Sequence, residues 1–127
     1  MDDTLSRTID LFQVNQIICL EHQNTCLYGE VIQLIPQRQL CWFRPICLSK
    51  INFEHDSTLE NAQLIDLQSG SDLLWPITLF RPALDTEIIY LLAELNNYGE
   101  SLNPKKANRQ YLNNFVRQVW QANQERF

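Results

Sequence analysis

Alternating apolar and polar residues run through the first third of the chain and predict a small antiparallel sheet. The segment 12–20 follows this pattern, and a second apolar run covers 26–35 after a polar connection. These two segments are predicted as a β-hairpin. A third apolar run, 40–44, follows the polar residues 36–39, so it extends the hairpin into a three-stranded meander.

The second of these strands is predicted to lie in the centre of the sheet, because apolar residues fall on both of its faces. Gly29 lies inside it, and a glycine within a strand often marks a bulge or a tight bend. We therefore expect the sheet to curl toward a small barrel. Residues 46–51 continue the sheet after Pro45, and residues 63–67 alternate like an edge strand.

Two helices are predicted in the C-terminal part. The first covers 85–98, with Asp85 or Thr86 as its N-cap and Gly99 as its C-terminal stop. The second covers 104–124 and begins at an Asn-Pro pair. Its apolar residues recur at three- and four-residue spacings: Tyr111, Leu112, Phe115, Val116, Val119 and Trp120. That stripe is typical of a helix that covers its own sheet, whereas the weakly charged opposite face favours contact with another chain.

These elements define one α+β domain over residues 1–127, a length that suits a single hydrophobic core. It consists of a β-rich part at 12–82 and helices at 85–98 and 104–124, preceded at 1–10 by a flexible arm or a short amphipathic turn. The predicted fold is a curled, barrel-like antiparallel sheet of about four to five strands, covered by the two C-terminal helices.

Charge and hydropathy narrow the range of partners. The formal net charge is -5 and the pI about 4.9, so nonspecific binding to nucleic acid has no overall electrostatic support. A short basic group at Lys105, Lys106 and Arg109 is typical of a solvated helix face and is also suited to an acidic partner. No apolar run reaches the roughly 20 residues of a membrane span, and the first residues lack the features of a secretory signal. We therefore expect a cytoplasmic protein without membrane insertion.

The sequence shows no catalytic or metal-binding motif. The cysteines, Cys19, Cys26, Cys41 and Cys47, are not closely paired, and a predicted hairpin turn is a poor context for zinc at Cys19, His22 and Cys26. Cysteines on alternating strands are commonly small buried hydrophobes, so we expect reduced thiols. A Cys–His nucleophile lacks any local signature, as do phosphate loops and hydrolase elbows. The sequence therefore predicts no enzyme, no metal and no cofactor.

What remains is a group of aromatic and arginine residues suited to recognition. The tripeptide Phe-Arg-Pro occurs at 43–45 and again at 80–82, and each copy is predicted as a strand end that places its ring and its arginine at one edge. The candidate partner-binding residues are Trp42, Phe43, Arg44, Trp75, Phe80 and Arg81. The alternative is that the tryptophans fill the core while each arginine pairs with an acid such as Asp72 or Asp85. We expect about half of the group to be core.

Four segments of the chain resemble a family of small uncharacterised cyanobacterial proteins: LYGEVIQ at 27–33, LCWFRP at 40–45, GSDLLWP at 70–76 and LFRPALDT at 79–86. The similarity spans about residues 12–95. Within that group the chain is similar to the CcmS type of carboxysome shell assembly factor. The resemblance implies a small chaperone whose partner is the extended C-terminal tail of a hexameric shell protein, and it assigns no functional residue.

These observations together predict a non-catalytic protein-binding module that acts as an assembly factor or chaperone. An extended, basic tail would add to an exposed sheet edge, with pockets beside Trp42, Trp75 or Phe80. There are two alternatives. One is a small-barrel nucleic-acid-binding or regulatory protein, and the other is an enzyme of unrecognised type. The identity of the partner and the oligomeric state stay open at this point, as does whether the last helix packs on its own sheet or on another chain.

Overall fold

Six β-strands and two α-helices form the protein in the computed structural model, which describes residues 11–50, 63–67, 71–98 and 105–124. The strands are β1 (Ile17–His22), β2 (Thr25–Ile35), β3 (Leu40–Lys50), β4 (Gln63–Asp66), β5 (Leu73–Pro76) and β6 (Arg81–Pro82). The helices are α1 (Asp85–Tyr98) and α2 (Lys105–Ala122). The predicted α+β fold is confirmed, with one strand more than expected, while the arm predicted at 1–10 lies outside the described residues.

The strands pair in one antiparallel sheet in the order β4–β3–β2–β1–β6, and β5 also pairs with β3. Strands β1, β2 and β3 form the predicted meander. Residues 40–43 of β3 pair with β5, whereas residues 47–50 pair with β4. Because β2 occupies the other edge of β3 throughout, β4 and β5 lie end to end along one edge. The sheet is open over the described residues, so the expected barrel does not form there.

Gly29 and Pro45 meet at a bulge between β2 and β3. The two residues are cross-strand partners, and the next pair along, Tyr28 with Cys47, leaves Ile46 as the extra residue of β3. Proline lacks the N–H group that a central strand would use in its ladder. Pro45 is tolerated here because it lies between the part of β3 that pairs with β5 and the part that pairs with β4.

Side-chain alternation divides the interior into two cores, one on each face of the sheet. Along β1, Ile18 and Leu20 belong to the larger core, whereas Ile17 and Cys19 belong to the smaller one. The larger core includes Leu112, Phe115 and Val119 of α2. The smaller core comprises Cys19, Cys26, Tyr28, Cys47 and, from α1, Leu91.

The two helices therefore lie on opposite faces of the sheet. Both pack on the sheet as predicted. Four members of the predicted α2 stripe, Leu112, Phe115, Val116 and Val119, cover the protein's own core, whereas Tyr111 and Trp120 are exposed. The predicted bounds, 85–98 and 104–124, agree closely with those of α1 and α2. Among the described residues, neither helix is long and apolar enough to cross a membrane.

Gly29 is required by a close approach, since a Cβ atom at this position would overlap the ring of Phe43 and lie 2.5 Å from the carbonyl oxygen of Arg44. We expect Gly29→Ala to lower the free energy of unfolding by about 3 kcal/mol, because the backbone contact cannot relax by rotation of a side chain. Urea denaturation measures the change. Gln33→Ala, at an exposed position of the same strand, is the control and should stay within about 0.5 kcal/mol of the unsubstituted protein. An equally stable Gly29→Ala variant would contradict this account of the bulge.

Candidate protein-binding surface

Three of the six candidate binding residues are core residues. Phe43 is fully buried, and Trp75 and Phe80 are each 7% exposed. All three rings belong to the larger core, where the rings of Phe43 and Phe80 lie 4.9 Å apart between centroids. Because they present almost no surface to a partner, the structure removes these three from the candidate binding site.

Trp42 and Arg44 lie on the surface instead, on the sheet face that also carries α1. They are two residues apart in β3, so they share one face while Phe43 between them enters the larger core. The direct cross-strand partner of Trp42 is Leu74 of β5. Trp42 is 39% exposed and Leu74 is 53% exposed. An indole and a leucine side chain thus adjoin each other on a part of the sheet that remains open to solvent.

Asp72 fixes the positions of both polar groups on this surface. The indole Nε1–H of Trp42 donates to Asp72 Oδ2 at 2.9 Å, and Arg44 Nε donates to Asp72 Oδ1 at 3.1 Å. We call Trp42, Arg44, Asp72 and Leu74 the Trp42 surface. The sequence alternative in which an arginine pairs with Asp72 therefore holds for Arg44, although the side chain stays exposed.

The electrostatics of the Trp42 surface serve orientation more than stability. Hydrogen bonds from Arg44 and Trp42 lower the pKa of the Asp72 carboxyl, and the hydrogen bond to Asp72 raises the pKa of Arg44. The pair is screened by water, so it adds little to the free energy of unfolding. Side chains already held in place lose less conformational entropy when a partner binds, which favours recognition.

Arg81, the sixth candidate, belongs to a polar network that joins β1, β2, β6 and α1. Its Nη1 and Nη2 atoms donate to the two carboxylate oxygens of Glu87 at 2.9 and 3.1 Å. Its Nε and Nη2 atoms donate to Glu21 Oε1 at 2.9 and 2.6 Å. The hydroxyl of Tyr28, a buried residue of the smaller core, donates to Glu87 Oε2, which also accepts from Arg81 Nη2. Arg81 is thereby committed to internal partners, and we assign it a structural role.

Glu87 also caps α1. Leu84 accepts the first helical hydrogen bond, from Ile88 N–H, and its own N–H donates to Glu87 Oε1 at 2.8 Å. This is the back-bonded half of a capping box, in which the third helical residue satisfies the N–H of the capping residue. The helix therefore begins at Asp85, and the expectation that Asp85 or Thr86 is the N-cap was wrong by one or two positions.

The network fixes the charge states of its members. Burial raises the pKa of Glu87, but hydrogen bonds from Arg81, Tyr28 and the Leu84 N–H outweigh that effect and hold the pKa at about 2. The hydrogen bonds to Glu87 raise the pKa of Arg81. Burial, reinforced by the bond to Glu87, raises the pKa of Tyr28. A charged carboxylate, a guanidinium and a neutral phenol are consequently stable together beside α1.

The four cysteines are buried and free, as the sequence suggested. Burial raises the pKa of Cys41 and of Cys47 to about 12. Cys19 and Cys26 share a hydrogen bond in the smaller core, which raises the pKa of Cys19 and lowers that of Cys26. Within the described part of the chain, no histidine, cysteine, aspartate or glutamate side chains form a group that could hold a metal ion.

Two residues that shape these sites escaped the sequence analysis. Leu74 gains its importance only from its pairing with Trp42 across β3 and β5, and no local pattern marks that pairing. Glu87 carried a signal that was visible, because an acidic residue at the third position of a helix is the mark of a capping box.

Comparison of the chain with protein-family models, with curated proteins and with solved structures identified no match.

Removal of the charge at position 87 is expected to weaken the fold in a pH-dependent way. The folded-state pKa of Glu87 is depressed from 4.5 to about 2, so the carboxylate stabilises the fold above the unfolded-state pKa and loses that effect as the pH falls toward 2. At neutral pH we expect Glu87→Gln to lower the free energy of unfolding by about 3 kcal/mol. The difference from the unsubstituted protein should shrink between about pH 5 and pH 2.

Urea denaturation at a series of pH values provides the measurement. Glu94→Gln removes a carboxylate from the same helix but outside the network, and it is the matched control. A loss in Glu87→Gln that stays constant with pH would argue that the substitution acts through packing and not through the charge.

Proposed function

We propose that this protein is a non-catalytic protein-binding module that captures an extended segment of another protein at the Trp42 surface. The observation that carries the proposal is the adjacent exposure of Trp42 and Leu74 on the sheet, with Asp72 holding the indole and Arg44 in place. Tryptophan and arginine are the residue types enriched where binding energy concentrates. A positioned aromatic group beside an apolar neighbour is suited to anchor one side chain of a partner.

The edge of the sheet supports an extended partner. Within the described residues, β5 pairs with β3 on one side and with no strand on the other. An added strand would bond to the β5 main chain and place alternate side chains on the face that carries Leu74 and Trp42. Main-chain bonds supply affinity in this mode, and the exposed side chains supply selectivity.

Charge supports a basic partner. The chain has a net charge of -5. Asp72 and Arg44 balance each other on the Trp42 surface, and Glu30, the cross-strand partner of Arg44, adds a carboxylate beside it. Complementary charge raises the rate of encounter and suppresses acidic competitors. The segment that the protein captures is therefore proposed to be positively charged.

The resemblance to cyanobacterial shell assembly factors supports a specific partner. We propose that the protein acts in the cytoplasm as an assembly factor or chaperone, and that its partner is the extended C-terminal tail of a hexameric carboxysome shell protein. Capture of such a tail would keep an assembly-prone segment occupied until the shell forms. Nucleic acid and membranes are not proposed as partners.

The anchor is tested by truncation of its indole. Trp42→Ala should weaken binding of a synthetic peptide with the sequence of the shell-protein tail by at least fivefold, which corresponds to about 1 kcal/mol. Fluorescence anisotropy with a labelled peptide measures the dissociation constant. Tyr111→Ala is the control, because Tyr111 is an exposed aromatic residue on α2, across the sheet from the Trp42 surface. Circular dichroism and urea denaturation confirm that both variants remain folded.

The outcomes separate the anchor from its partner. Unchanged peptide affinity in a folded Trp42→Ala variant would remove the indole from the site. If the tail peptide binds neither the unsubstituted protein nor the Trp42→Ala variant, the assignment of the shell-protein tail as partner fails. Co-purification from the host then tests whether the Trp42 surface binds another protein. A protein recovered with Tyr111→Ala but lost with Trp42→Ala supports the Trp42 surface. Binding that weakens steeply with salt and is competed by oligonucleotides would instead identify the nucleic-acid alternative.

A further inference from the structure

Charge is divided between the two helices. The α1 segment contains three acidic residues and no basic one, whereas the α2 segment contains four basic residues and no acidic one. Because the whole chain has a net charge of -5, α2 is a local positive region on an acidic protein. The helices cover opposite faces of the sheet. Because Glu87 is paired with Arg81, Asp85 is the exposed acidic residue described in α1, whereas Arg109 and Arg117 are exposed on α2.

The outer side of α1 is apolar with an acidic start. Ile89 is 70% exposed, Leu92 is 52% exposed, and Leu84, next to the start of the helix, is 63% exposed. Asp85, Ile89 and Leu92 follow one another at spacings of four and three residues, so they lie along one side of the helix. We call Leu84, Asp85, Ile89 and Leu92 the α1 strip. Adjacent exposed apolar residues of this kind mark an interaction surface more often than scattered ones do.

The outer side of α2 carries the complementary residue types. Arg109, Asn113, Arg117 and Trp120 are exposed, with Trp120 at 47%. Their spacings of four, four and three residues place them along one side of α2, away from its buried stripe. We call these four residues the α2 strip. Its indole offers apolar area to Ile89 and Leu92, and its guanidinium groups offer hydrogen bonds to Asp85.

We propose that the α1 strip of one copy of this protein binds the α2 strip of a second copy. The charges favour this pairing, because contact between two α1 strips would bring two Asp85 carboxylates together and contact between two α2 strips would bring four arginines together. Both like-charge contacts are disfavoured. The contact between unlike helices joins opposite charges and buries apolar area from both.

Such a contact is heterologous, since the two copies contribute different surfaces. Each bound copy still presents one free α1 strip or one free α2 strip on its far side, so a third copy can add. The expected assembly is a chain that grows with concentration and has no fixed size unless it closes into a ring. The contact between the two strips uses no residue of the Trp42 surface, so its test does not depend on the proposed function.

Two double variants separate this arrangement from a symmetric dimer. Ile89→Ala with Leu92→Ala truncates the α1 strip, and Arg117→Ala with Trp120→Ala truncates the α2 strip; alanine preserves the helices. Asn114→Ala with Gln118→Ala, at exposed positions of α2 outside the strip, is the matched control. Sedimentation velocity of the full chain measures the mass over the micromolar to millimolar range at low and high salt, and circular dichroism checks folding.

We expect the mass of the unsubstituted protein and of the control to rise with concentration and to fall at high salt. Each strip variant alone should remain monomeric, and an equimolar mixture of the two should form a one-to-one dimer, because one intact α1 strip then meets one intact α2 strip. A protein that is monomeric over the whole range overturns the proposal. So does a dimer that either variant still forms alone, or a mixture that stays monomeric.

Discussion

The bidentate ion pair between Arg81 and Glu87 attaches α1 to the sheet. Among the α1 side chains that are described, 85–94, Leu91 is the buried apolar one. Arg81 adds a polar attachment because it binds Glu87 from α1 and Glu21 from β1 at once. Tyr28 adds a bond from the centre of the sheet. A partly buried ion pair is stable only when its remaining hydrogen-bonding capacity is filled, and here four elements of the fold fill it.

The same pair explains why the two Phe-Arg-Pro copies have different roles. In both, the phenylalanine enters the larger core and its neighbour arginine faces the other side. Arg44 lies in the long strand β3, where its side chain is exposed and pairs with the half-buried Asp72. Arg81 lies in the two-residue strand β6, next to the start of α1, where it pairs with the buried Glu87. A local motif sets the direction of a side chain, but its neighbours are set by the tertiary pairing.

That difference also marks how far the sequence could predict the structure. The meander and both helix spans followed from alternation, turn residues and helical spacing, all of which act over a few residues. The bulge at Gly29 could be predicted as well, because a glycine inside a strand is also a local signal. The open form of the sheet was not, because closure depends on which distant edges pair. The exposure of Trp42 and the burial of Trp75 depend on the pairing of β3 with β5, between residues that are far apart in the chain. Trp42 is therefore exposed, whereas Trp75 is buried in the larger core.

The end-to-end placement of β4 and β5 along β3 has a kinetic consequence. Strands β1, β2 and β3 meet through short connections, whereas β5 joins β3 only after the intervening chain has closed a long loop. Leu74 and Asp72 reach Trp42 in that late step. A molecule in which β5 had not yet paired would hold its indole in the sheet without the aspartate and leucine that complete the surface. Competence for recognition therefore depends on a long-range pairing, which links it to the tertiary fold.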